Sequence, residues 1–150
     1  ALRERAVAAP ARPVSAVVLF DLETVLDVED EGLATLGSSV AQMLGSELEG
    51  AGIPTRYFWA LMLGFTGEGA YRRFQKEMAP GATAATHALL GRVAVRAGEV
   101  AISAQVYDLE TGVLVSTELV TGIWPDGLFE LVERLGSAVA SDLAPGARRP

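Results

Sequence analysis

Residues 89–124 read LLGRVAVRAGEVAISAQVYDLETGVLVSTELVTGIW, and the period of this stretch decides the fold. Val100, Ile102, Ala104 and Val106 fall on one side of an alternating pattern, with Ala101, Ser103, Gln105 and Tyr107 on the other. Such alternation marks a half-buried strand. Val93 and Val95 alternate in the same way just before it. Arg96-Ala97-Gly98-Glu99 is short enough for a tight hairpin, with Gly98 supplying a positive φ cheaply. Asp108-Leu109-Glu110-Thr111-Gly112 fits a type I turn closed by a left-handed glycine, and Asp108 suits that corner because its carboxylate can bond loop amides. A third strand runs from Val113 to about Val120. Three strands in an antiparallel meander follow.

Working outward, Val14 to Leu22 is a continuous apolar run of the kind buried on both faces of a sheet. Asp27, Glu29, Asp30 and Glu31 then precede an amphipathic helix with a stripe of Leu33, Leu36, Val40, Leu44 and Leu48. The acids are expected at its positive, N-terminal end, and Gly50-Ala51-Gly52 stops it. Ile53 to about Trp59 reads as a second strand. Gly64, Gly67 and Gly69 open a short helix, Ala70 to Met78, and Ala82–Ala88 is a connector or weak helix. After the meander, Asp126 is placed to cap a last helix striped by Leu128, Leu131, Val132, Leu135, Val139 and Leu143. The order β-α-β-α-β-β-β-α closes most simply as one α/β domain with a mixed sheet and helices packed on it. The domain is expected over 14–144, with an extended arm at 1–13 and a tail at 145–150.

Composition limits the chemistry. The 150 residues are half hydrophobic, with a mean hydropathy of +0.31, enough for a real core. No apolar run reaches the roughly 18 residues of a membrane span. Cysteine is absent, which removes disulfides and thiolate chemistry but does not fix a compartment. The chain starts at Ala1 rather than Met, so the expectation is either a removed signal segment or a fragment, with an acylated cysteine just upstream as one form of the first. Residues 13–147 hold 7 basic and 18 acidic groups, a net of −11 that argues against a nucleic-acid surface. Arg3, Arg5 and Arg12 make the leading arm basic, suited to solvent, anionic lipid or an acidic partner.

Order and motifs together resemble the TolB amino-terminal-domain family, with its CsgG- and PelC-like envelope assembly proteins. The residues that carry this are Ala16-Val17-Val18-Leu19-Phe20 in the place of an opening strand, Glu31-Gly32-Leu33, Leu90-Gly91-Arg92-Val93, Asp108 to Gly112, and the helix Leu128 to Leu143. The likeness is specific only over 89–143, and 56–86 departs from it. The resemblance implies a non-enzymatic interaction module of the bacterial envelope, periplasmic or outer-membrane-associated, working with protein partners or as a homo-oligomer, with peripheral or lipid-anchored membrane association open to it. It carries no catalytic residue and no cofactor.

VVLFDLETVL (17–26) looks like the first motif of the haloacid dehalogenase superfamily, with Asp21 as phosphoryl nucleophile and Glu23 as acid/base. The glycine and threonine expected after the acids are Thr24 and Val25, the one lysine, Lys76, follows no strand, and no later acidic pair is present for magnesium. A structural strand end is the plainer reading. The acidic run 27–32 lacks a glutamate at the twelfth position of a calcium loop. His87 alone makes neither a triad nor a metal set. The glycines of 64–69 lack the lysine of a phosphate loop. The candidate partner contacts are Tyr57, Phe58, Trp59 and Phe65, in an apolar run that is either core or interface, together with Arg3, Arg5 and Arg12. Gly98, Asp108 and Gly112 are expected to be structural.

Overall fold

A computed structural model describes residues 12–27, 33, 35–58, 66–77 and 84–144. Its elements are β1 (Val17–Phe20), β2 (Glu23–Leu26), α1 (Leu36–Gly50), β3 (Thr55–Phe58), α2 (Gly67–Glu77), β4 (His87–Arg96), β5 (Glu99–Asp108), β6 (Leu114–Ile123) and α3 (Leu128–Leu143). They form one mixed sheet in the order β3-β1-β4-β5-β6, with β2 also paired to β4. β1 lies parallel to β3 and β4, and the three long strands β4, β5 and β6 form the antiparallel meander. The α/β reading of the sequence is borne out.

The apolar run at 14–22 becomes a strand line broken in the middle. β1 pairs with His87–Leu89 and β2 with Arg92–Val95, so the line changes course at Asp21 and Leu22. Two helix starts take up the backbone groups freed there, as buried peptides require. Gly67 N–H donates to the Asp21 carbonyl at 2.7 Å, and Leu22 N–H donates to the Gly37 carbonyl at 3.2 Å.

Two cores separate on the two faces. On one, α1 and α3 cover Val17, Leu19, Leu89, Val93, Ile102 and Val106. On the other, among the described residues, α2 covers Val18, Phe20, Ala88, Leu90, Tyr107 and Leu114. Leu36, Val40, Leu44 and Leu48 are all buried along α1, as their spacing requires. α3 buries Leu131, Val132, Leu135, Val139 and Leu143 in the same way.

Several expectations need correction. α1 starts at Leu36, after the acidic run, with no acid in its first turn, and Leu33 lies outside it. Asp27 instead accepts Ala97 N–H at 2.8 Å and braces the β4–β5 hairpin. Glu29, Asp30 and Glu31 lie outside the described residues, as do most of the arm expected at 1–13 and the tail expected at 145–150. Asp126 does not cap α3: Gly127 is the N-cap and no side chain bonds there. His87 and Ala88 belong to β4, not to a connector.

Both turns adopt the expected backbone. Ala97 and Gly98 have φ of +51° and +80° between the paired residues Arg96 and Glu99. Gly112 has φ +73°, its N–H donates to the Asp108 carbonyl at 2.8 Å, and Asp108 Oδ1 accepts Glu110 N–H at 2.8 Å and Thr111 N–H at 3.1 Å. Gly112→Val puts a β-branched residue at positive φ and should cost about 1–3 kcal/mol. An unchanged thermal melt in that variant would contradict the turn.

Candidate interaction surface

Three places on the fold bring polar or exposed groups together. The first is the carboxyl end of the parallel strands. α1 leaves β1 on one face and α2 returns on the other, so the crevice beyond β1 is the topological switch point where α/β folds usually bind ligands. Asp21 sits there, 1 % exposed. Its Oδ1 accepts the Tyr57 hydroxyl proton, and Ser38 Oγ stands 2.9 Å from the Tyr57 oxygen. Gln42 Nε2 donates to Ser38 at 3.1 Å, so a chain of donors ends on the carboxylate. Burial first, then the bond to Asp21, pushes the Tyr57 hydroxyl up to about 12, so it stays a donor.

This geometry gives Asp21 a holding role. Its carboxylate is enclosed, whereas a phosphoryl nucleophile must be reachable in line. Glu23 points elsewhere, bonded to Arg92 Nε at 2.6 Å on the surface. Lys76 lies on the last turn of α2, nine residues along the helix from Gly67, the residue that touches Asp21. Among the described residues no three His, Cys, Asp or Glu side chains are grouped to hold a metal ion.

The second place is the opposite end of the sheet. Arg12 donates to both oxygens of Asp108, at 3.1 and 3.0 Å, to the Thr86 carbonyl at 3.0 Å and to Glu110 at 3.3 Å. His87 is fully buried beside them. The Thr86 hydroxyl lies 2.7 Å from Nδ1, a bond in which either group can donate, and Nε2 faces Asp108 Oδ2 at 3.8 Å, beyond hydrogen-bond reach. Burial holds His87 below its ordinary 6.5, outweighing the pull of Asp108, so it is neutral in the fold. Burial alone would raise Asp108, but Arg12 and the amides of Thr111 and Glu110 bring its carboxyl below the usual range. The cluster clasps the start of the described chain onto the β5–β6 turn. Arg12 is thus engaged within its own chain, with about a third of its side chain left to meet a partner.

The third place is the half of the α2 face that α2 does not reach. Cross-strand register lays out its rows: Glu23, Arg92, Ser103 and Leu119; then Val25, Ala94, Ala101 and Thr121; then Arg96, Glu99 and Ile123. A helix is about 10 Å wide and strands lie about 4.8 Å apart, so one helix covers about two strands. α2 has 11 residues, roughly 16 Å of helix, against ten-residue strands of roughly 33 Å. Leu119 and Ile123 on β6 are left 66 % and 69 % exposed, and Val25 is exposed on β2, across β4 and β5 from them. At the border with α2 lies a cleft of about 600 Å³ lined by Gly67, Glu68, Gly91, Ser103, Gln105 and Thr117.

Of the residues expected to meet a partner, Tyr57 and Phe58 are half-buried and turn inward. Phe58 stacks edge-on against Phe20 and Phe74, at 5.6 and 5.5 Å. Trp59, Phe65, Arg3 and Arg5 lie outside the described residues. Sequence reading missed the uncovered face, although one signal was present. In 117–123, Thr-Glu-Leu-Val-Thr-Gly-Ile, apolar residues fall on both sides of the strand.

At the edge of the sheet, β6 and α3 bring two carboxyls together. Ser116 Oγ donates to Asp142 Oδ2 at 2.7 Å. A hydrogen bond to Asp142, then burial, then the Asp142 charge push Glu118 up to about 7 from its ordinary 4.5. The fold therefore prefers protonated Glu118. That contribution is complete below pH 4.5, declines as the unfolded chain loses its proton between 4.5 and 7, and is gone above 7. Allowing for partial exposure, the decline should be about 1–2 kcal/mol. Denaturant melts from pH 4.5 to 8 should show it, and Glu118→Gln, which keeps a donor and cannot ionise, should remove that slope.

No protein-family model matches the sequence, and no curated protein matches it. Solved structures do. The chain is similar to the PelC dodecamer from Paraburkholderia phytofirmans in two crystal forms. One is 22 % identical with a TM-score of 0.51, covering 95 % of each chain. The other, a point variant, is 19 % identical with a TM-score of 0.54, covering 91 % of this chain and 94 % of that one. It is also similar to lipoprotein GNA1162 from Neisseria meningitidis, at 16 % identity and a TM-score of 0.48, over 88 % of this chain and 98 % of that one. At these identities the PelC likeness shows a shared fold.

Proposed function

We propose that the chain is a non-enzymatic assembly module of the bacterial envelope, of the TolB amino-terminal type, acting as a subunit of a larger complex. The uncovered sheet face carries this reading. An antiparallel meander can leave one face in water, but Leu119 and Ile123 are large apolar side chains exposed on this one, a feature of interaction surfaces. The fold shared with the PelC dodecamer supports assembly with further copies. A periplasmic or outer-membrane-associated setting belongs to the same reading. Trp59 and Phe65, with Arg3 and Arg5, are proposed as further contacts, because large aromatics often dominate interface energy.

Mass in solution and recovery of bound proteins from native membranes, with and without residues 1–13, test this together. A monodisperse monomer that recovers no partner in either form would sink it. The dehalogenase-like alternative makes the opposite demand. The chain should hydrolyse no phosphate ester with magnesium, and Asp21→Asn should leave that zero unchanged. Hydrolysis that disappears in Asp21→Asn would make the protein a phosphatase.

A further inference from the structure

His87 is the one histidine of the chain, and two contacts that hold the leading segment converge on it. On its Nδ1 side, the Thr86 hydroxyl also accepts Ser15 N–H at 3.1 Å. On its Nε2 side, Asp108 Oδ2 stands 3.8 Å away and already accepts Arg12 Nε at 3.1 Å. Nε2 has no hydrogen-bond partner among the described residues. A fully buried ring nitrogen left in that condition calls for a reason. The charged groups that act on the ring are Asp108 from β5 and Arg12 from the leading segment. Glu110 in the β5–β6 turn reaches it through Arg12, and β1 offers Val17, its register partner.

We propose that this cluster is a proton-operated latch: a proton taken up from solvent by His87 displaces Arg12 from Asp108 and frees residues 12–15 from the foot of the sheet. With His87 neutral, one cation faces one buried carboxylate. An imidazolium donates from both nitrogens. Nδ1–H keeps Thr86, and Nε2–H needs Asp108 Oδ2 about 1 Å nearer than it stands. Two cations then compete for one carboxylate. His87 is fully buried and cannot turn to water, whereas the Arg12 side chain is 34 % exposed and can. Arg12 therefore yields, and its bond to the Thr86 carbonyl goes with it. The β5–β6 turn stays, because the amides of Glu110 and Thr111 still hold Asp108. Burial lowers the proton affinity of His87, Asp108 raises it and Arg12 lowers it again. Departure of Arg12 removes one opposing cause, so the open form binds the proton more tightly than the latched one. By linkage the latch is closed above the titration range of the open form and loosens as pH falls through it. Asp108, held below its ordinary 3.8, stays charged over that range.

The single histidine makes the test direct, because its imidazole signals in NMR belong to one residue. The full chain is titrated, with the ring signals reporting protonation and the Val14 and Ser15 amide order parameters reporting the segment. In the unaltered chain the ring should titrate between about pH 4 and its ordinary 6.5, and the order parameters should fall with the same midpoint. Arg12→Gln should raise the ring's midpoint by about 0.5–1 unit, a three- to tenfold gain in proton affinity. His87→Gln keeps a hydrogen-bonding side chain that takes up no proton here, and its order parameters should stay constant over the same range. Loosening driven by Glu118, which titrates at about 7, would survive in that variant. Circular dichroism melts check that each form folds, and Arg12→Gln carries the test alone if His87→Gln does not. A ring that fails to titrate above about pH 4 overturns the latch. So does a midpoint unmoved by Arg12→Gln, or loosening that persists in His87→Gln.

Discussion

Asp108→Ala should lower the free energy of unfolding by about 3–4 kcal/mol, the largest effect of any single side-chain truncation outside the two apolar cores. The carboxylate is 2 % exposed and accepts two bonds from Arg12 and one each from the amides of Glu110 and Thr111. Its removal leaves two turn amides and a part-buried guanidinium short of partners, and each unsatisfied buried group costs about 1–3 kcal/mol. Breaking a buried ion pair by deleting one member costs about 3–5 kcal/mol; because Arg12 is partly exposed it can rehydrate, which places the expectation at the lower part of that range. The pH dependence is a second signature. Asp108 is held below its ordinary 3.8, so its stabilisation is present above that pH and lost as pH falls through its folded value. His87, neutral in the fold and below its ordinary 6.5, adds loss of stability as pH falls beneath 6.5. Urea melts of the unaltered chain and of Asp108→Ala at pH 7 should differ by the full amount, and at pH 3 the two should approach each other. Equal midpoints at pH 7 would show that the clasp does not stabilise the fold.

Gly37→Ala should cost about 3 kcal/mol, although alanine ordinarily favours a helix by about 1 kcal/mol over glycine. Gly37 is the second residue of α1 and lies directly on the break between β1 and β2. A Cβ there would collide with the carbonyl oxygen of Leu22, a backbone atom that cannot swing aside as a flexible side chain would. The same glycine donates its N–H to Thr24 Oγ1 at 3.1 Å and accepts Leu22 N–H through its carbonyl. Lifting α1 to make room therefore strains the contact that seats the helix on the strand. Chemical denaturation reads the loss. Gly50→Ala on the last residue of the same helix, where a Cβ meets nothing, is the control and should cause little change. Similar behaviour of the two variants would remove the close approach from the account of this fold.

The meander, its two turns and the buried stripes of α1 and α3 were legible in the sequence because each is a local pattern. Alternation at period two, a glycine where φ must be positive, and apolar residues three and four apart all act within a few residues. Asp108 was legible as a turn residue for the same reason. Its partners were not, because Arg12 stands 96 positions away and nothing in its own neighbourhood marks it as a buried contact. The break at Asp21 and Leu22 was equally hidden. An apolar run buried on both faces reads as one strand, and only the arrival of Gly37 and Gly67 from two different helices gives the freed backbone groups a place to bond. Tyr57 and Phe58 read as core or interface alike, since apolarity states that a side chain leaves water and not what it meets. The tertiary structure settled them inward, against Asp21, Phe20 and Phe74. The exposed face followed from a mismatch of lengths. α2 is too short for the strands it crosses, and which rows of β4, β5 and β6 stay bare depends on where Gly67 anchors that helix. Local periodicity determined which residues form each strand and helix; long-range packing decided which of their faces were left for another molecule, because exposure is a property of what lies opposite and not of the residue itself.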